Sequence, residues 1–301
     1  MTVDTGEETV AALLRGAVDL HAGAPASAGQ APDLLDIARA AEAAGLRALM
    51  VMDRHFSPAP IVQTLRRHEF AGSPLELLSG LELNNTVGGL NPYAVEHELM
   101  LGGRLVSMPT VSAANYIRHA SRRSGATRPA QPALEVLDAW GRLRDEVKEI
   151  LDIVAAHDAV LSTGHLHISE IWPLLEEARQ RGVSRLLVRH SSFLIDAGLA
   201  DMRELAGMGA FIEQCADMSI DCLGGHARAD ELMAFITAAT VRQTILVPKL
   251  GRIRQAQPVE RHRATIRSCL ELGYSQTEIR QMISENALRL LGLAPRDGAR
   301  P

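Results

Sequence analysis

The sequence predicts a single (β/α)8 barrel, a TIM barrel in one domain over residues 1–293. Three observations carry this. Eight short apolar runs alternate with helical patterns at an even pitch. Each run ends in a polar or ionisable residue ahead of its helix, where functional side chains sit in such barrels. The chain has 301 residues, 47% hydrophobic and 22% charged, which suits one large core. Alternating strands and helices call for a parallel sheet, and eight units favour closure. An open doubly wound sheet is the alternative. No GxGxxG follows the first strand, which weakens a dinucleotide-binding version.

Residues 5–15 read as an N-terminal helix. The strands then follow as Ala17–His21, Arg47–Met52, Glu76–Leu83, Arg104–Met108, Asp158–Leu161, Arg185–Val188, Ala210–Glu213 and Thr244–Val247. Between them, Asp33–Ala44 places Leu34, Leu35, Ile37, Ala38 and Ala41 on one helical face, with Gly45 as its C-terminal stop. A helix near Pro60–Arg67 follows the second strand, and the turn Val87-Gly88-Gly89-Leu90-Asn91-Pro92 opens another. Residues 112–131 are rich in Ser, Ala, Arg and Gly without a period, and read as an irregular insertion; loops of that length are often functional lids. Pro132–Ala156 reads as one long helix through Leu134, Leu137, Leu143, Val147, Ile150, Leu151 and Val154. Further helices are expected over Ser169–Arg181, Asp196–Met208, Ala229–Ala239, Val259–Leu272 and Ser275–Leu291. The last opens on a Ser275-x-x-Glu278 capping box. Residues 294–301 read as a disordered tail.

Composition excludes several classes. Net charge is −5 and aromatics are 3%, so neither a basic stripe nor a stacking platform points to nucleic acid. No apolar run reaches the roughly 18 residues of a membrane span, and the acidic N-terminus lacks a signal-peptide core. Cys215, Cys222 and Cys269 form no CxxC pair, which fits reduced thiols in a cytoplasm. The expected partner is a small molecule, with homo-oligomerisation left open. Of 31 basic residues, Lys148 and Lys249 are the only lysines, so a lysine at a strand tip stands out in an arginine background.

The strand tips supply His21, Asp53 with Arg54 and His55, Glu82 with Asn84 and Asn85, Thr110, His165, Arg189 with His190, Cys215 and Lys249. Imidazole is the commonest neutral metal ligand and general base, so His165 and His190 are read as functional. The remaining histidines, at 68, 97, 119, 157, 167, 226 and 262, read as solvated or packed side chains. Cys215 reads as a small buried hydrophobe rather than a nucleophile. Arg54, Arg189 and Arg252 could fork onto a substrate anion or stay solvated. Lys249 follows an apolar Ile245-Leu246-Val247 run. A desolvated lysine there can act as a base or Schiff-base amine, and a protonated one as a fixed charge. A Lys249–Asp53 salt bridge is the plain structural reading.

Asp19-Leu20-His21, Asn84-Asn85-Thr86-Val87-Gly88-Gly89-Leu90-Asn91-Pro92, Met108-Pro109-Thr110, Thr163-Gly164-His165 and the closing Asn286–Leu293 segment resemble an uncharacterised bacterial branch of the amidohydrolase superfamily. The resemblance runs from about residue 16 to 293. It implies a metal-dependent hydrolase on a (β/α)8 barrel, with His-x-His after strand 1, a His at strands 5 and 6, and an Asp after strand 8. His21, His165 and His190 fall on the ligand positions. The second His of the first motif is absent, because Ala22-Gly23 follow His21, and Lys249 stands where the Asp is expected. A cation there would repel a neighbouring divalent metal unless its amine were neutral.

Three readings stay open. One divalent metal, zinc best suited, sits on His21, His165 and His190; the metal is lost and Lys249 supplies the charge or amine; or the protein is a non-catalytic relative that binds a ligand. The expected activity is hydrolysis of a C–N or C–O bond, or a related elimination or cyclisation, on a small polar or carboxylated substrate. Lys249, Asp53, His55 and His190 are the candidate catalytic groups. Asn84, Asn85, Thr110, Arg54 and Arg189 are the candidate substrate-binding ones.

Overall fold

The computed structural model describes residues 6–23, 32–124, 131–189, 194–215, 229–248 and 258–294, without the side chains of 121–124 and 258. Its strands are β1 (Val18–Gly23), β2 (Ala48–Asp53), β3 (Glu76–Glu82), β4 (Leu105–Ser107), β5 (Val160–Ser162), β6 (Arg185–Val188), β7 (Phe211–Cys215) and β8 (Thr244–Val247). They pair in parallel in the order β1 to β8, and β8 comes back against β1 to give a nearly closed barrel. The helices are α1 (Glu7–Leu14), α2 (Leu34–Ala43), α3 (Ala59–His68), α4 (Pro92–Met100), α5 (Ala114–Ser124), α6 (Asp145–Ala156), α7 (Ile168–Gln180), α8 (Leu199–Gly207), α9 (Ala229–Ala239), α10 (Pro258–Glu271), α11 (Gln276–Arg280) and α12 (Asn286–Leu291). None of the described helices is long and apolar enough to cross a membrane.

Strand alternation separates two cores. Inward residues Val18, Leu20, Met50, Leu78, Leu105, Val160, Leu187, Phe211 and Ile245 fill the barrel. Outward neighbours such as Leu49, Leu77, Val106, Leu161, Val188, Ile212 and Leu246 pack under the helices. Position 80 falls on the inward row by alternation, and a Cβ there would collide with the Met52 sulfur. The N-terminal end is closed by α12, whose Ala287, Leu288 and Leu291 join the inner core. Asn286 Nδ2 donates to the carbonyls of Val241 and Thr244 at 2.7 and 2.6 Å, and Ser284 Oγ to that of Gly16 at 2.6 Å. These bonds fasten the closing segment beneath the strand starts and leave the C-terminal mouth as the functional end.

Two stretches differ from the sequence expectation. Residues 112–131, expected to be irregular, contain α5, tied down by buried Asn115, which donates to the carbonyls of His165 (3.1 Å) and Leu194 (2.6 Å). The helix expected from Pro132 begins only at Asp145. Asp138 Oδ1 instead accepts the Trp140 and Arg142 amides, each at 2.9 Å, and Gly141 takes φ +75°. Side-chain acceptance of this kind closes a turn in place of a helix. Leu137 bridges Leu143 across it, so the leucine period is that of a hairpin-like loop. The Ser275–Glu278 capping box forms as expected.

On the outer face, buried Glu98 of α4 accepts the hydroxyls of Ser79 (2.6 Å) and Ser57. Burial pushes this carboxyl above its ordinary value, against the two hydroxyl bonds. A carboxyl whose pKa rises on folding costs stability as pH climbs from the unfolded value of 4.5 through the folded one. Glu98→Gln is therefore expected to gain Tm over the parent above about pH 6 and to lose that gain near pH 4. A difference in Tm independent of pH would show that the carboxyl is not taking up a proton on folding.

Candidate active site at the barrel mouth

Inward positions change character towards the strand C-termini. Leu78 and Gly80 give way to Glu82, Leu105 to Ser107, Val160 to Ser162, Leu187 to Arg189 and Phe211 to Glu213. All five polar residues are buried. Apolar layers thus carry a polar one at the mouth, the layered filling expected of such a barrel.

His21 joins this layer through a bulge. Asp19 pairs with Leu49 and Ala22 with Val51, so three steps of β1 oppose two of β2. Leu20 and His21 then both turn inward, and the freed His21 amide donates to Asp19 Oδ1 at 2.7 Å. Bulges re-aim side chains in this way beside active sites. Asp19 itself points outward, where its Oδ2 lies 3.5 Å from His262 Nε2 of α10, both residues fully buried. Burial opposes ionisation of Asp19. The close approach of His262, the hydrogen bond from the His21 amide and the Arg261 charge outweigh it and hold the carboxyl below its ordinary value.

The centre of the layer is Arg189, 4% exposed. Its Nη2 is 2.7 Å from His21 Nδ1, and its Nη1 is 3.5 Å from both Glu82 Oε1 and Ser107 Oγ. Its Nε is 3.8 Å from Glu213 Oε2, which lies 2.6 Å from His21 Nε2. A guanidinium can only donate, so Nδ1 of His21 accepts and the ring proton sits on Nε2, directed at Glu213. Glu82 is positioned by Thr110 Oγ1 at 2.5 Å and Asn84 Nδ2 at 3.4 Å.

The other predicted residues are placed as follows. The Asn84 amide also bonds Thr110 Oγ1 and the Arg54 carbonyl, and its Oδ1 accepts the Thr110 and Ser112 amides. Asn84 and Thr110 thus cross-link the tips of β3 and β4. Asn85 Nδ2 donates to the Pro132 carbonyl at 2.7 Å. Asp53 pairs in register with outward-facing Leu81, so alternation turns it away from the inward row of Met52; its Oδ1 accepts the His55 amide at 2.7 Å. The side chains of Arg54 and His55 are exposed at the rim. His165 is buried after β5, its ring stacked on Tyr116 of α5 at 5.0 Å and its amide bonded to the Pro109 carbonyl at 2.9 Å. Gly164 before it takes φ +58°, and a Cβ there would run into the carbonyls of Met108 and Pro109. His190, Lys249 and Arg252 lie outside the described residues.

Sequence reasoning passed over Glu213 and read Arg189 as a substrate-binding anion fork rather than as a buried partner of His21. An acidic residue inside the apolar Phe211–Cys215 run was the available signal for the first. The inward step from Leu187 was the signal for the second.

Among the described residues no three His, Cys, Asp or Glu side chains are arranged to hold a metal. His21 does not fit a ligand role as placed, because one ring nitrogen faces a permanent cation and the other faces Glu213.

A parallel eight-stranded barrel with buried ionisable groups at its C-terminal mouth defines the class of (β/α)8 proteins whose sites lie at that end. The chain belongs to a family of unknown function, DUF6282, whose profile matches residues 16–213. A comparison of the sequence with curated proteins gives no match. Its fold is similar to that of an amidohydrolase from Pseudomonas aeruginosa, with 10% identity, a TM-score of 0.64, and 93% of this chain and 97% of that one covered. The probable dipeptidase PvdM from the same organism gives 12%, 0.67, and 97% and 98%. An amidohydrolase from Burkholderia multivorans solved with bound zinc gives 14%, 0.57, and 92% and 99%. At these identities the likeness is one of fold.

Proposed function

We propose that the chain is an amidohydrolase-like enzyme that hydrolyses a C–N or C–O bond, or carries out a related elimination or cyclisation, in a small polar or carboxylated substrate. The observation that carries this reading is the buried His21–Glu213 pair beside the Arg189 guanidinium at the mouth. His21 and Glu213 form a proton-handling pair. Arg189 offers a fixed positive charge for an oxygen that gains negative charge in the transition state. Lys249, where the resembling family carries Asp, supplies a second cation or a neutral amine from beyond β8. His165 and His190 complete the histidine set, Arg54 and His55 offer polar groups at the rim, and Asp53 holds the His55 amide.

A zinc-dependent form of the same reading draws support from the zinc in the Burkholderia relative. The Arg189–His21 contact weighs against it. The other class is a ligand-binding protein without turnover.

The test is a turnover screen of amides, esters and lactones, with and without chelator. A hit should show saturable turnover, and His21→Asn and Glu213→Gln should each lower kcat by about 10²–10⁴-fold. Saturable binding of the same compounds without turnover would leave a ligand-binding protein.

A further inference from the structure

We propose that Glu82 is the carboxylate that takes the reacting proton in this site, and that Thr110 and Asn84 are positioning residues that hold it for that task. The inference deepens the hydrolytic reading above and rests on it. Glu82 is the last residue of β3 and continues the inward row of Leu78 to the mouth. Its two carboxylate oxygens are used differently. Oε2 accepts the Thr110 hydroxyl at 2.5 Å and the Asn84 amide at 3.4 Å. Asn84 Nδ2 also donates to Thr110 Oγ1 at 2.9 Å, which turns the Thr110 proton towards Glu82. Both donors are buried, and Asn84 Oδ1 is fixed in turn by the Thr110 and Ser112 amides.

Oε1 is left for other work. Among the described residues it accepts no hydrogen bond, and Arg189 Nη1 stands 3.5 Å away, beyond the roughly 2.7–2.9 Å of a closed charge-assisted bond. Its lone pairs can therefore receive a proton. The other two groups are engaged with each other. His21 takes Arg189 Nη2 on Nδ1 and turns its Nε2 proton to Glu213 at 2.6 Å. In the hydrolytic step the oxygen of a water adds to the acyl carbon while one of its protons passes to Glu82 Oε1. The carbonyl π pair moves onto its oxygen, beside the Arg189 charge. Collapse of that intermediate breaks the C–N or C–O bond, and Glu82 returns the proton to the leaving nitrogen or oxygen.

The experiment measures kcat and KM on an amide, ester or lactone that the parent turns over, with urea midpoints to show that each variant is folded. Glu82→Gln is nearly isosteric and keeps an oxygen for Thr110; it should lower kcat by about 10²–10⁴-fold and leave KM little changed. Glu82→Ala should be as impaired and should regain turnover in formate, a small carboxylate able to take the vacated place, but not in chloride at equal concentration. Thr110→Val keeps the shape without the donor and should lower kcat by about 10–100-fold, the effect of one hydrogen bond to a charged group, again with KM little changed. Thr110→Ser should recover most of that loss. Where Glu82→Gln does not fold, the Thr110 pair decides alone. Near-parental kcat in folded Glu82→Gln, a Glu82→Ala unmoved by formate, or equal kcat in Thr110→Val and Thr110→Ser overturns the proposal and leaves the hydrolytic reading standing. A parent without turnover overturns that reading and the proposal with it.

Discussion

Arg189→Met, in metal-free buffer, is expected to lower folding stability by about 3–5 kcal/mol, the cost of stripping one partner from a buried charge pair. Glu82 and Glu213 lie almost wholly out of solvent on either side of it, so neither carboxylate can turn to water for compensation. The loss should be read as a lower urea midpoint at unchanged slope. Glu82→Gln introduced into Arg189→Met should recover part of it, because the orphaned charge becomes a neutral amide. An unchanged midpoint for Arg189→Met would mean that the two carboxylates do not rely on the guanidinium.

The barrel was readable because its strands are short apolar runs with polar tips, from Val18–Gly23 to Thr244–Val247. Which tip residue points inward was less readable, yet alternation contains much of it. Leu187 fills the barrel and Val188 the outer core, so Arg189 follows inward; Met52 is inward, so Asp53 is not. Attention to chemistry alone favoured Asp53 and passed over Glu213, whose strand runs two residues further than its apolar pattern suggests. His21 is the opposite case. Simple alternation from Asp19 would put both on one face, and only the bulge separates them. A bulge is a property of pairing between strands and leaves little trace in one strand's sequence. The leucines of 134–143 misled for a related reason, since a turn held by Asp138 can mimic helical spacing.

Asp19 is where fold and site meet, and Asp19→Ala is expected to rival Arg189→Met in cost, at about 3–5 kcal/mol. The change leaves the His21 amide without its Asp19 acceptor and removes the carboxylate that buried His262 faces at 3.5 Å. It should also act on the site. With the bulge no longer held, pairing can slip by one residue, which moves every following side chain of β1 to the other face. Asp19→Asn separates the two roles. Its side-chain oxygen still accepts from His21, so the bulge should persist while the charge is lost.

The acid limb carries the sign of that charge. The folded pKa of Asp19 lies below the ordinary 3.8, so its contribution is present above that pH and is lost as pH falls through the folded value. Asp19→Asn should therefore unfold in acid with a shallower loss of stability below about pH 4 than the parent, from a lower starting point at pH 7. Equal urea midpoints for the parent and Asp19→Ala at pH 7 would show that β2 pairing alone shapes β1 and that Asp19 does not position His21.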